Sequence, residues 1–139
     1  MLHYIISMGT KKKILVVDDE PGVLRFISVS LSLAGYEVVT ATNGEEGLNL
    51  VEQSKPDLML LDVLMTPITG FDVLERLRAH SQLPVIVFTA RSDIASRAIK
   101  EGADGFIAKP FMPEQLIRKI EDTLNNPKNG FSDKMLPAA

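Results

Sequence analysis

Four short apolar runs recur along the chain, each closed by a polar side chain: Ile14 to Val17 before Asp18, Leu58 to Leu61 before Asp62, Val85 to Phe88 before Thr89, and Phe106 to Ala108 before Lys109. None approaches the roughly 20 apolar residues that a membrane-crossing helix needs. None alternates apolar with polar, as a strand with one wet face would. Such runs read as strands of a parallel sheet buried on both faces, and this constrains everything between them. Parallel neighbours can be joined only by long crossovers, and those crossovers must supply the helices that cover the sheet. A further β-rich stretch, Glu37 to Thr40, makes a fifth strand.

The intervening segments carry helical spacing and its punctuation. Glu20-Pro21 opens a helix with Leu24, Ile27, Leu31 and Ala34 inward, ended by Gly35; proline near the start and glycine just past the end are the expected signals. Asn43 caps a helix through Glu52 that turns Leu48 and Val51 inward, and Pro56-Asp57 breaks it. A loop with Thr66, Pro67, Thr69 and Gly70 leads into a helix with Phe71, Leu74 and Leu77 on one face. Ser92 or Asp93 caps a short helix with Ile94, Ala98 and Ile99, closed by Gly102, and Pro113 starts a last helix with Leu116, Ile117, Ile120 and Leu124 facing in. Five strands alternating with five helices imply a doubly wound α/β sheet with right-handed crossovers.

A chain of 139 residues is one domain's worth. We assign the domain to residues 12–126, with residues 1–11 as a disordered N-terminal extension and 127–139 as a C-terminal tail or the start of a linker. The chain has no cysteine, hence no disulfide framework or thiolate metal site, and its net charge of -3 does not suggest a nucleic-acid-binding domain. Near the N-terminus the lysines Lys11 to Lys13 follow the apolar residues, the reverse of a secretory signal, so a cytoplasmic location without membrane attachment is expected. No GxGxxG turn or GxxxxGK[ST] loop is present to cradle a nucleotide. A site on this sheet must therefore be built from side chains at the carboxyl ends of the strands, where the crevice of such folds lies.

Those ends offer Asp18 and Asp19 with Glu20 beside them, Asp62, Thr89 and Lys109. Taken singly each has an ordinary explanation: a helix-capping acid pair, a turn aspartate, a β-forming threonine, a solvated lysine. Taken together they compose a site for a divalent cation and a phosphoryl group. Acids brought close raise one another's pKa, and a cation offsets that cost. Oxygen donors suit magnesium or manganese, whereas zinc would want histidine or cysteine. A carboxylate can act as nucleophile toward phosphorus if a cation and a fixed positive charge offset the incoming charge. Asp62 is the expected acceptor, and Lys109, set between apolar residues and Pro110-Phe111, is the expected fixed charge. Thr89, beside the small Ala90, offers a hydroxyl for a phosphoryl oxygen.

In their order and separation, "ILVVDDE", "LMLLDV", "VIVFTA" and "FIAKPF" make Lys12 to Leu124 resemble the receiver domain of bacterial two-component response regulators. The resemblance implies a flavodoxin-like (βα)5 fold with strand order 2-1-3-4-5. It implies that Asp62 accepts a phosphoryl group from a histidine kinase or phosphotransfer protein, with Mg2+ held directly by Asp19, through water by Asp18, and by the main-chain carbonyl of Leu64. Lys109 would pair with the acceptor and then with phosphate, across a cis Lys109-Pro110 bond. Thr89 and Phe106 would be the switch hydroxyl and switch aromatic. They would change the face formed by helix Ser92–Glu101, strand Phe106–Ala108 and helix Pro113–Leu124 to control a partner or output domain, with a phosphorylation-linked homodimer as a further partner. Such a protein promotes only its own phosphorylation and dephosphorylation. The family usually has proline four residues after the acceptor; here Thr66 stands there and Pro67 follows, while Gly70 keeps its spacing. Leu64 and Arg91 occupy positions tied to dephosphorylation.

Two other classes fit the pattern less well. A hydrolase using an aspartyl-phosphate intermediate on external substrates would want a second aspartate two residues after the nucleophile, where this chain has Leu64. A flavin carrier would want a Ser/Thr/Gly-rich loop after the first strand, where this chain has acids.

Overall fold

Each apolar run becomes a strand, and the polar residue closing it lies at or just beyond the strand's carboxyl end. The computed structural model describes residues 11–126, so the expected extension, apart from Lys11, and the expected tail lie outside the described residues. In order the elements are β1 (Lys13–Val17), α1 (Pro21–Leu33), β2 (Glu37–Ala41), α2 (Gly44–Ser54), β3 (Leu58–Asp62), α3 (Gly70–Arg78), β4 (Val85–Thr89), a 3-10 turn (Ser92–Ile94) running into α4 (Ala95–Lys100), β5 (Gly105–Ala108) and α5 (Pro113–Asn125). The strands form one parallel sheet in the order β2-β1-β3-β4-β5, as expected. Strand order reverses around β1, which opens the crevice between the loops after β1 and β3.

Every residue of β3 and β4 is buried, because a parallel sheet between two helical layers has no wet face. Alternate residues feed two cores. Ile14, Val16, Leu58, Leu60, Ile86 and Phe88 pack under α1 and α5 against Leu24, Ile27, Leu31, Leu116 and Ile120. Leu15, Val17, Met59, Leu61, Val85 and Val87 pack on the other side against Val73, Leu74 and Leu77 of α3 and Ala98 of α4.

Pro21 starts α1, and Gly35 turns the chain away with φ 97°. Ala34 was expected inward but is exposed, because α1 ends at Leu33 and Ala34 already belongs to its C-terminal cap. The Asn43 side chain accepts the Glu46 N–H at 2.8 Å, the expected cap, and α2 runs on to Ser54, two residues further than the spacing predicts. Thr69 and Asp72 cap α3 reciprocally, satisfying donors at its first turn.

The segment after β4 departs most from expectation. Neither Ser92 nor Asp93 caps α4 through its side chain; the 3-10 turn intervenes, and the Asp93 carboxylate is taken by the Arg91 guanidinium at 2.6 and 3.0 Å. Ala98 is the buried residue of α4, while Ile99, expected inward, is exposed. A six-residue helix presents little more than one turn to the sheet, and Arg97 lies over the Phe71 ring at 3.8 Å. Beyond α4, Arg78 donates to the carbonyls of Gly102 and Ser81 and to the Asp104 carboxylate, tying the end of α3 to the turn before β5.

Candidate functional site

Register brings the acids together. Val17 pairs with Leu61 across β1 and β3, so Asp18 and Asp62, the next residues on adjacent parallel strands, arrive side by side. Asp18 is fully buried and Asp62 is 4% exposed, whereas Asp19 faces solvent. One carboxylate oxygen from each of the three lies within 4.8 Å of the others. This is the cluster expected from the sequence.

Lys109 closes the cluster from the end of β5. Its ammonium is 3.0 Å from Asp18 Oδ2, 3.3 Å from Asp62 Oδ2 and 3.9 Å from Glu20 Oε1. It thus pairs with both buried acids and sits nearer Asp18 than Asp62. The remaining oxygens of the pair accept main-chain donors: Asp18 Oδ1 takes the Glu20 N–H and Asp62 Oδ1 the Leu64 N–H, each at 2.9 Å. Burial holds the Asp62 carboxyl above its ordinary pKa, and Asp18 pushes the same way; the Leu64 hydrogen bond and the Lys109 charge offset this only in part. Burial pulls the Lys109 ammonium down, but its hydrogen bond to Asp18 and the charges of both acids outweigh that, so it stays above its ordinary value. The lysine is firmly protonated, and Asp62 is a carboxylate held at a cost.

The loop after β3 is fixed by close approach. A Cβ on Gly70 would come within 2.5 Å of the Asp62 carbonyl oxygen and of Val63 Cα, and the Gly70 N–H donates to Val63 O at 3.1 Å. Thr66-Pro67, where the proline is shifted, and Lys109-Pro110 are both cis, the latter as expected.

Thr89 is buried at the end of β4, but its hydroxyl accepts the Arg91 N–H at 3.3 Å, and no hydrogen bond joins it to Asp62. Alternation along the strands accounts for this. Asp18, Asp62, Phe88 and Lys109 follow the residues that face α1 and α5, whereas Thr89 follows Val85 and Val87, which face the other core. Phe106 is half-buried on that second side. Beside the acids an open groove of about 560 Å³ is lined by Gly22, Val23, Phe26, Ala90, Lys109 and Phe111.

Two contributors escaped the sequence reading. The Leu64 N–H is a donor to Asp62, where only its carbonyl had been singled out. Phe88 had been only the last residue of an apolar run, yet it is the register partner of Asp62 and lies under Lys109. Both strands end on a polar residue, Asp62 and Thr89, and the one-residue offset that sets Asp62 beside Phe88 instead has no mark in the sequence.

A profile of the response regulator receiver domain matches residues 14–121. The chain belongs to this family. The receiver is 44% identical over 121 residues to a probable transcriptional regulator, ycf27, of Cyanophora paradoxa, covering 86% of this chain and 51% of that one. It is 40% identical over 133 residues to the same-named protein of Guillardia theta, covering 94% and 52%. The chain therefore spans about half the length of the curated relatives it matches. Among solved structures, the receiver is similar to the Vibrio cholerae chemotaxis protein CheY4, with a TM-score of 0.76 and 32% identity over 81% of this chain and 98% of that one. Receivers of this family are signalling proteins, not conventional enzymes. No helix among the described residues is long and apolar enough to cross a membrane.

Proposed function

We propose that this receiver is a cytoplasmic phosphorelay component that takes a phosphoryl group onto Asp62 from a histidine kinase or phosphotransfer protein and passes the change to an output domain or target. The observation that carries the reading is Asp62 itself: a buried carboxylate held between a protonated lysine and two further acids, with a main-chain N–H at its edge. A structural turn aspartate needs none of that company.

A hard divalent cation fits the donor set, since Asp18, Asp19 and Asp62 offer oxygens alone, and the Leu64 carbonyl would complete it. When bound, Mg2+ (or Mn2+) supplies positive charge that offsets the acids and the phosphoryl oxygens. The chain does the rest. A carboxylate oxygen of Asp62 attacks phosphorus, the P–N bond to the donor histidine breaks, and the leaving imidazole takes up a proton. Lys109 Nζ and the Leu64 N–H, already at the two oxygens of Asp62, are the donors for the added phosphoryl oxygens.

The Thr89 hydroxyl, which at rest accepts the Arg91 N–H, then turns toward Asp62 and donates its proton to a phosphoryl oxygen, and Phe106 follows into the space released. This biases the α4–β5–α5 face between two states for an output domain, a target or a second copy. The apolar groove beside the acids suits a donor surface carrying the phosphohistidine. Leu64, where a hydrolase would need an acid, disfavours turnover of external substrates. Incubation with acetyl phosphate and Mg2+ is expected to add one phosphoryl group by intact mass, lost in Asp62→Asn. Modification that persists in that variant, or none from acetyl phosphate or a cognate kinase, overturns the reading.

A further inference from the structure

We propose that Phe88 is a positioning residue for phosphoryl transfer, the face of its ring seating the Lys109 ammonium between Asp18 and Asp62. The inference rests on the reading of Asp62 as phosphoacceptor and extends it to a side chain on the neighbouring strand.

Topology creates the need. Lys109 leaves the sheet at the end of β5, but its partners stand on β3 and at the end of β1, and β4 lies between. Parallel strands are spaced about 4.8 Å apart, so the lysine must reach over β4 to meet Asp62. Phe88 is the residue it crosses: it pairs in register with Asp62 and directs its side chain to the same layer as Ile86, under α1 and α5. The ammonium lies 4.8 Å from the ring centroid. That is within the roughly 6 Å over which the negative face of an aromatic ring attracts a cation, and the attraction grows when both are shielded from water. Phe88 is fully buried and the lysine side chain only 20% exposed. The ring is itself packed edge-on against Phe111 at 6.2 Å and 79°, a contact that favours this ring orientation.

The seat differs in kind from the other contacts of Lys109. Asp18 and Asp62 hold the ammonium in the resting site, and in the proposed reaction Asp62 takes on a phosphoryl group. The ring keeps its place throughout. Leucine at position 88 would fill most of the volume without attracting the cation, and the space it leaves is why shape-conserving ring substitutions are also needed.

The test separates attraction from packing. Phenylalanine at position 88 is replaced by mono-, di- and trifluorinated phenylalanine, which keep the shape while draining negative charge from the ring face, and separately by leucine. Phosphorylation by acetyl phosphate with Mg2+ is expected to slow stepwise with fluorination, reaching about three- to tenfold at the end of the series and in Phe88→Leu. Melting temperatures across the fluorinated series should fall only by the few degrees that one weakened cation–ring contact costs. The Lys109 ε-methylene protons, shifted upfield by the ring in the wild type, should return toward ordinary values in Phe88→Leu. Equal rates along the series, or lysine resonances that do not respond to Phe88→Leu, overturn the proposal and leave Phe88 a core residue. If the wild type is not phosphorylated at all, the phosphoacceptor reading fails, while the lysine resonances still decide whether the ring seats the ammonium.

Discussion

Replacing Asp62 with asparagine should make the protein more stable, although it removes a partner from a buried ion pair. At an effective dielectric of 20, the Lys109 ammonium at 3.3 Å attracts the Asp62 carboxylate by about 5 kcal/mol. Asp18, within 4.8 Å, repels it by about 3.5 kcal/mol or more on the same scale. About 1.5 kcal/mol of attraction is left, with roughly 2 kcal/mol from the hydrogen bond of the Leu64 N–H to a charged acceptor. Against this stands the several kcal/mol needed to remove an ion from water. The balance favours the neutral group by on the order of 1 kcal/mol, in line with a carboxyl held above its ordinary pKa. Asparagine keeps an acceptor for the Leu64 N–H and leaves Lys109 to Asp18. Urea unfolding without divalent cation should therefore place Asp62→Asn about 1 kcal/mol above the wild type, a gain of about 3–5 °C in melting temperature. The pH dependence follows in sign. A carboxyl whose folded pKa is raised stabilises the fold fully below its unfolded value and loses that contribution as pH rises through the folded value. The gap between variant and wild type should thus be absent in acid and open as pH climbs through the raised pKa of Asp62. A variant no more stable than wild type at neutral pH, or a gap that persists unchanged in acid, refutes the argument. Added magnesium should narrow the gap, since the cation then offsets the acids of the wild type.

Lys109→Met leaves the fully buried Asp18 without its cation and should cost about 2–4 kcal/mol in cation-free urea unfolding. Gly70→Ala puts a methyl against main-chain atoms at 2.5 Å and should lose about 2–3 kcal/mol, while Gly22→Ala, with nothing within 4 Å, should stay within about 0.5 kcal/mol of wild type. Asn43→Ala frees the Glu46 N–H at the start of α2 and should cost about 1 kcal/mol in thermal unfolding.

The strands were legible because burial on both faces writes an unbroken apolar word, and Leu58 to Leu61 could hardly be anything else. The acids were legible because a doubly wound sheet sends strand ends to one crevice, so Asp18 and Asp62 had to meet. Alternation becomes readable across strands only once their register is known. Counting residues from the strand interiors assigns Lys109 and Phe88 to the face of Asp62 and Thr89 to the opposite one, which explains why the hydroxyl is bonded to Arg91. The segment around Ser92 and Asp93 misled for a different reason. Both are good caps by residue type, but Arg91 competes for the Asp93 carboxylate, and a capping preference yields to a charged neighbour two residues away.

The slightness of α4 has a mechanical meaning. The helices under the other core are anchored by rows of leucine and isoleucine, and prising one loose would expose several large side chains at roughly 1.5–3 kcal/mol each. The buried anchor of α4 is the methyl group of Ala98, worth on the order of 1 kcal/mol, and its other fastening toward α3 is an exposed arginine lying on the buried Phe71 ring. Sliding this helix withdraws only one small side chain from the core. The sheet and its leucine-anchored helices act as a chassis, and a lightly bolted mounting on it comes one 3-10 turn after the strand that carries Phe88 and Thr89.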